Sequence, residues 1–259
     1  MRLVCFSACA WQKRCLFSQH HRRQTVLPYP LPPSRIVPHG KLVASSMLLL
    51  ITMNPLPNAP ELPDHAREFR RTLRQQSIAR REALPEVQHQ QFTQAIREHL
   101  RQAFPQLAGM RVAFCWPFRC EPDLRPLILH WLEQGETGFM ALLPVVTAPA
   151  TPLAFRSWRP ETPLRAGSYG IPFPAEGEFI VPEALLIPVN AFDAAGFRIG
   201  YGGGYFDRTL AALPSSTLSI GVGFELSRVE TVHPQPHDQR LGAVVTEAGV
   251  FLSGRSNLP

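Results

Sequence analysis

A chain of 259 residues with 45% apolar content holds enough hydrophobic material for one substantial core. The net charge of +6 does not point to nucleic acid or an anionic membrane, because residues 1–60 carry seven basic and no acidic side chains while the other 19 basic and 20 acidic side chains nearly cancel. Both lysines, Lys13 and Lys41, fall in that leader, so the body uses arginine for every fixed positive charge, which excludes there a Schiff-base lysine and a G-x-x-x-x-G-K-[ST] phosphate loop.

The leader, residues 1–60, is rich in Arg, Pro, Ser and His, and its apolar stretch from Met47 to Ile51 is too short to span a bilayer. It is expected to be disordered, and two readings of it rank above a secretory signal: a targeting segment resembling a transit peptide, or an extension upstream of a start at Met47 or Met53. Residues 61–259 are expected to form a single catalytic α/β domain. Only Cys115 and Cys120 lie in it, at a spacing that makes neither a zinc-type C-x-x-C nor a disulfide scaffold. The expectation is a soluble, cytoplasmic, monomeric protein with a small-molecule substrate and neither nucleic acid nor membrane as partner.

Asp64 is placed to cap a first helix whose apolar positions Ala66, Phe69 and Leu73 recur at three and four residues, and a second helix follows over 86–103. On the first helix Arg67, Arg70, Arg74 and Arg81 share one stripe, so several guanidinium groups can face one polyanion. The run RVAFC from Arg111 to Cys115 reads as a buried strand and is followed by a helix over 124–134 and a strand over 138–143. A proline-rich stretch over 147–182 contains one further strand, 153–158. Then come a strand over 184–189, a glycine-rich turn, a helix over 205–213, and strands over 218–222 and 242–245. Strands alternating with helices imply a mostly parallel sheet covered on both faces.

The segment IPVNAFDAAGFRIGYGGGYFDRTL, Ile187 to Leu210, sets Gly196, Gly200, Gly202, Gly203 and Gly204 between a buried strand and a helix. Glycines let the backbone approach a ligand closely, and the free amides at the helix start attract anions, so the pattern predicts a phosphate cradle. Arg198 adds a guanidinium for phosphate oxygens, and Asp207 a hard carboxylate suited to Mg²⁺. The spacing does not fit the dinucleotide fingerprint G-x-G-x-x-G.

This segment resembles the signature of the 5-formyltetrahydrofolate cyclo-ligases, F-D-x-x-G-x-R-L-G-x-G-G-G-Y-Y-D-R, with Ile199 and Phe206 in place of leucine and tyrosine. RRTLRQQSIARREAL from Arg70 is similar to the family's first basic helix, and WPFRCEPDLRPLI from Trp116 to its strand-to-helix loop. YGIPFP from Tyr169 is similar to its aromatic-x-I-P-x-P segment. HDQRLGAVVTE from His237 is similar to its terminal H-D-x-x-L-D-x-V-V-T-E, with Gly242 in place of an aspartate. The resemblance covers about residues 67–250.

It implies a three-layer α/β fold of the sugar-phosphate isomerase and CoA-transferase kind, and ATP- and Mg²⁺-dependent closure of 5-formyltetrahydrofolate to 5,10-methenyltetrahydrofolate. By the same resemblance the nucleotide is held by Arg70, Arg71, Arg74, Arg198, Gly200, Tyr201, Gly202, Gly203, Gly204, Tyr205 and Phe206. Mg²⁺ falls to Asp207, the reduced folate to Trp116, Glu121, Tyr169 and Tyr205, and the reacting groups to Arg198 and Tyr205. A carboxylate at Glu121 suits a pterin edge, which offers adjacent N–H donors. The alternatives are a divergent member without cyclo-ligase activity and a basic RNA- or membrane-associated binding protein.

Overall fold

The computed structural model describes residues 64–135 and 138–253; the basic leader lies outside the described residues. Helix α1 (Asp64–Glu82) and helix α2 (Glu86–Ala103) precede strand β1 (Arg111–Ala113), helix α3 (Arg125–Gln134) and strand β2 (Met140–Val145). Strands β3 (Ala154–Ser157), β4 (Leu164–Ala166), β5 (Pro172–Pro174), β6 (Ala184–Pro188), β7 (Ala191–Phe192) and β8 (Arg198–Ile199) follow. Helix α4 (Tyr205–Ala212) and strands β9 (Leu218–Val222), β10 (Ala243–Thr246) and β11 (Gly249–Leu252) complete the described chain.

Seven strands form one sheet in the order β11-β10-β9-β6-β1-β2-β3. The five inner strands run parallel, and the two edges, β3 against β2 and β11 against β10, are antiparallel. Alternate residues of β1, β2, β6 and β10 enter different cores. Val112, Phe114 and Leu186 join a cluster with Ile96, Leu100, Ile128 and Trp131 of α2 and α3, whereas Ala113, Leu185 and Ile187 join one with Phe192 and Leu241, against which Phe206 and Leu210 of α4 pack. A sheet buried on both faces needs apolar side chains at odd and even positions, which is why these strands read as continuous apolar runs rather than alternating ones.

The sequence expectation of a mostly parallel, helix-covered sheet agrees with this architecture. It leaves out the edge strand β11 and the two small antiparallel ribbons, β4 with β5 and β7 with β8. Strands of two to four residues show too little periodicity to stand out, and prolines at both ends of β5 mask it further.

From β1 the chain builds one half of the sheet outward through β2 to β3, and from β6 it builds the other through β9 to β10 and β11. The order therefore reverses between β1 and β6. At such a switch point the loops leaving the two strands diverge to opposite faces and open a crevice at the carboxyl ends. A cleft lies there, lined by Cys115, Glu121, Pro122, Leu124, Leu186, Pro188 and Val222.

Candidate active site

Two loops meet at this crevice. The first leaves β1 and carries Glu121 on a turn in which the Glu121 amide donates to the Phe118 carbonyl at 3.1 Å. The central residues of that turn, Arg119 and Cys120, have φ of 49° and 57°. Left-handed backbone costs a residue with a Cβ roughly 1–2 kcal/mol, so the turn persists because its surroundings hold it. Arg81 Nε donates to the Arg119 carbonyl at 2.9 Å, and His89 Nε2 lies 3.0 Å from the Cys120 carbonyl.

Glu121 is buried, and both of its oxygens are engaged: Oε1 accepts from the Tyr201 hydroxyl at 2.8 Å and Oε2 from the Phe118 amide at 3.0 Å. Arg81, only 2% exposed, donates from Nη2 to the Tyr201 hydroxyl at 3.0 Å and from Nη1 to Asn190 Oδ1 at 2.9 Å, and approaches Glu121 Oε1 to 4.0 Å. Burial raises the Glu121 carboxyl above the ordinary glutamate value, with Arg81, Tyr201 and the Phe118 amide opposing. Burial and the Glu121 charge also push up the Cys115 thiol and the Tyr201 hydroxyl, so both stay protonated. The Asn190 side-chain amide nitrogen is buried without a partner among the described residues.

The second loop leaves β6, crosses the β7–β8 ribbon and forms the glycine turn before α4. Gly196 closes the ribbon at φ 84°, where an added Cβ would stand 2.4 Å from the Ser253 side chain. Asp193 fixes this corner by accepting the Phe197 amide at 3.1 Å on Oδ1 and the Val232 amide at 3.1 Å on Oδ2. The signature's F-D pair is thus a structural element of the corner. Gly202 takes φ 94° beneath the Arg74 guanidinium, 3.2 Å from where a Cβ would stand, and Arg74 Nε donates to the Gly200 carbonyl at 2.6 Å. Burial depresses the Arg74 pKa, and Arg70 adds to that. The amides of Gly202, Gly203 and Gly204 find no backbone acceptor among the described residues, which leaves them as donors at a helix start.

Beside this turn stand two guanidinium–carboxylate pairs. Arg198, 5% exposed, donates from Nη1 to the Gln239 carbonyl at 2.9 Å and sets Nη2 3.1 Å from Asp207 Oδ1, which also accepts the Gln239 amide at 3.0 Å. Arg70 holds Asp238 at 2.6 Å and the His233 carbonyl at 3.0 Å. The stripe predicted on the first helix is therefore split in use. Arg70 and Arg74 face the glycine turn and the 233–239 loop, while Arg81, one further turn pair along, faces Glu121.

The structure separates the remaining predicted residues. Arg71 is not brought to the site: it pairs with Glu68 on the exposed side of α1 at 2.9 Å, because it sits one position off the inward stripe. Phe206 is half-buried and packs against the core cluster beneath α4. Tyr201 lies in the glycine turn, but its hydroxyl reaches across to Glu121 rather than to the amides. Tyr205 starts α4 with the Arg208 guanidinium 5.3 Å above its ring. Tyr169 is 83% exposed at φ 60°, and the Phe118 ring lies 6.3 Å from it and 5.5 Å from Tyr201. Trp116 packs between Arg125 and Trp158. Gly242 donates its amide to the Ser219 carbonyl at 2.8 Å, a backbone role with no side chain to offer a metal. Among the described residues no three His, Cys, Asp or Glu side chains gather where they could hold a metal ion, and no helix is long and apolar enough to cross a membrane.

Sequence reasoning missed Phe118 and Asn190, whose residue types carry no chemical signal of their own. Arg81 was visible only as a member of the stripe.

Comparison with known proteins gives a consistent picture. The model of the 5-formyltetrahydrofolate cyclo-ligase family matches residues 66–247. The 5-formyltetrahydrofolate cyclo-ligase of Escherichia coli strain K12 is 29% identical over 178 residues, covering 66% of this chain and 97% of that protein. The enzyme of the same name from Mycolicibacterium smegmatis is 30% identical over 186 residues, covering 67% and 91%. Among solved structures, the NMR structure of Aquifex aeolicus 5,10-methenyltetrahydrofolate synthetase superposes with a TM-score of 0.63 at 26% identity, covering 73% of this chain and 94% of that one. A 5,10-methenyltetrahydrofolate synthetase from Mycoplasma pneumoniae shares the fold at 20% identity and a TM-score of 0.56, covering 69% and 98%.

Proposed function

Because the chain belongs to the 5-formyltetrahydrofolate cyclo-ligase family, we propose that it closes 5-formyltetrahydrofolate to 5,10-methenyltetrahydrofolate, consuming ATP and releasing ADP and phosphate, at the crevice between β1 and β6. The observation that carries this reading is the adjacency of two unlike subsites. A glycine turn flanked by Arg70, Arg74 and Arg198 suits a triphosphate, and a buried carboxylate among aromatic rings, Glu121 beside Phe118 and Tyr201, suits a pterin.

ATP is a substrate here. The N5-formyl oxygen attacks the γ-phosphorus, the bond to the ADP oxygen breaks, and the formyl oxygen becomes part of a phosphate leaving group. N10 then adds to the activated carbon and releases its proton to solvent, and phosphate departs with that oxygen to leave the N5–C–N10 amidinium. An amide oxygen leaves poorly and phosphate leaves well, so the protein's work is placement and charge neutralisation. The free amides of the glycine turn and the Arg198 guanidinium hold the phosphates, with Arg74 and Arg70 on the flank, and Glu121 accepts the pterin N–H donors. No protein nucleophile is required.

The donor set fits a magnesium ion carried on the nucleotide phosphates rather than a cage made by the protein. Asp207 is the carboxylate in the first turn of α4, directly after the glycine turn, one of its oxygens already serves Arg198 and Gln239, and Gly242 supplies nothing. Such an ion would neutralise charge on the transferring phosphoryl group. The single domain over 61–259, acting as a soluble cytoplasmic monomer on a reduced folate, is part of the same proposal. Mixing the purified protein with 5-formyltetrahydrofolate, Mg²⁺ and ATP tests it: the methenyl product appears by absorbance and depends on ATP, and its absence from folded protein sinks the assignment.

A further inference from the structure

We propose that Arg81 and Tyr201 act together as positioning residues for Glu121, fixing the direction in which its carboxylate meets the pterin. The inference rests on the reading of Glu121 as the pterin acceptor and adds how that acceptor is held.

Arg81 reaches the carboxylate through an ordered chain. Its Nη2 donates to the Tyr201 hydroxyl, and that hydroxyl, having accepted, donates to Glu121 Oε1. The same guanidinium donates through Nε to the Arg119 carbonyl, inside the left-handed turn that carries Glu121. One buried side chain therefore braces both the backbone turn and the side chain presented by it. Glu121 Oε2 is fixed independently by the Phe118 amide. Each carboxylate oxygen has about two acceptor directions, so one on each oxygen is used for orientation and one on each is left for a pair of ligand N–H groups.

The charged and titratable groups facing Glu121 are few. Arg81 comes from α1, Tyr201 from the glycine turn and Cys115 from the end of β1, while Arg119 of the same turn points away onto Glu82 at 2.7 Å. Cys115 and Tyr201 are held neutral by burial, so Arg81 is the cation that offsets the desolvated carboxylate. Removing the Tyr201 hydroxyl deletes one of the bonds that favour the ionised form. The Glu121 midpoint then rises further, and folate affinity, which needs the carboxylate, fails at a higher pH. Because Tyr201 belongs to the turn assigned to phosphate, a nucleotide role and a folate role for it give opposite kinetic outcomes.

The test compares Tyr201→Phe, Arg81→Lys and Glu121→Gln with the wild-type chain, measuring KM for each substrate and the pH profile of kcat/KM. In Tyr201→Phe the folate KM rises roughly 10- to 100-fold, the worth of a hydrogen bond to a charged group, the KM for ATP is unchanged, and the acidic limb moves to higher pH. Arg81→Lys shifts the same two quantities in the same direction; if it does not fold, Tyr201→Phe still decides. A Tyr201→Phe protein with wild-type folate KM and acidic limb, or with the ATP KM raised instead, overturns the proposal while Glu121→Gln still weakens folate binding. Wild-type folate KM in Glu121→Gln removes the reading of Glu121 and this proposal with it.

Discussion

Replacing Arg198 by alanine removes a guanidinium that is 5% exposed and serves the Gln239 carbonyl and Asp207 in the free protein. Burial lowers its pKa, and Asp207 and Asp238 oppose that; an arginine nonetheless stays protonated in proteins. On the proposed function the lost group is a preorganised donor on a transferring phosphoryl, and deletion of one such donor costs about 2.7–4 kcal/mol, or 10²–10³ in kcat. The stability cost is smaller than the roughly 3–5 kcal/mol of breaking a fully buried pair, because Asp207 keeps 21% of its side chain exposed and can rehydrate. Arg198→Lys keeps the charge but not the fork, so it cannot serve both partners and falls between wild type and alanine. The ATP-dependent absorbance assay, run beside thermal unfolding, separates the two effects. Wild-type turnover in a folded Arg198→Ala protein would refute the phosphate role of this side chain.

Other consequences test neighbouring parts of the site. Gly202→Ala forces a Cβ onto backbone at φ 94° and against the Arg74 guanidinium, so the KM for ATP rises while the folate KM holds; equal KM values in variant and wild type would argue against a nucleotide at the turn. Tyr169→Ala removes a side chain that is 83% exposed, so the melting temperature stays put and any loss appears in folate KM, read by the same assay. Arg71→Ala leaves turnover and the melting temperature unchanged, since its partner Glu68 is also exposed and the pair lies away from the crevice; a drop in ATP affinity would mean that Arg71 turns inward when nucleotide binds.

The positive-φ pair Arg119 and Cys120 shows how local preference yields to tertiary support. A turn of this kind favours Gly or Asn at both central positions, so residue types alone give no reason to place it here. It is stabilised by a guanidinium from α1 and an imidazole from α2, groups 38 and 31 residues away in sequence. Strained backbone that presents a functional side chain is a recurring arrangement, and its cost is met by the packing around it.

The amino-acid sequence by itself determined the main helices, the buried central strands and the chemistry on offer. Apolar runs set the buried strands, the three-and-four spacing set the helices, and five glycines with one arginine before a helix predict a turn suited to an anion, because each is a short-range consequence of backbone geometry. Only the tertiary structure decided which groups meet. It put Arg74 over the glycine turn, Arg70 on Asp238 and Arg71 in solvent, packed Phe206 against the core, and aimed the Tyr201 hydroxyl at Glu121 80 residues away. Periodicity fixes the face of an element on which a side chain lies, but what stands opposite that face depends on strand order, and the reversal between β1 and β6 brings the two loops to one crevice.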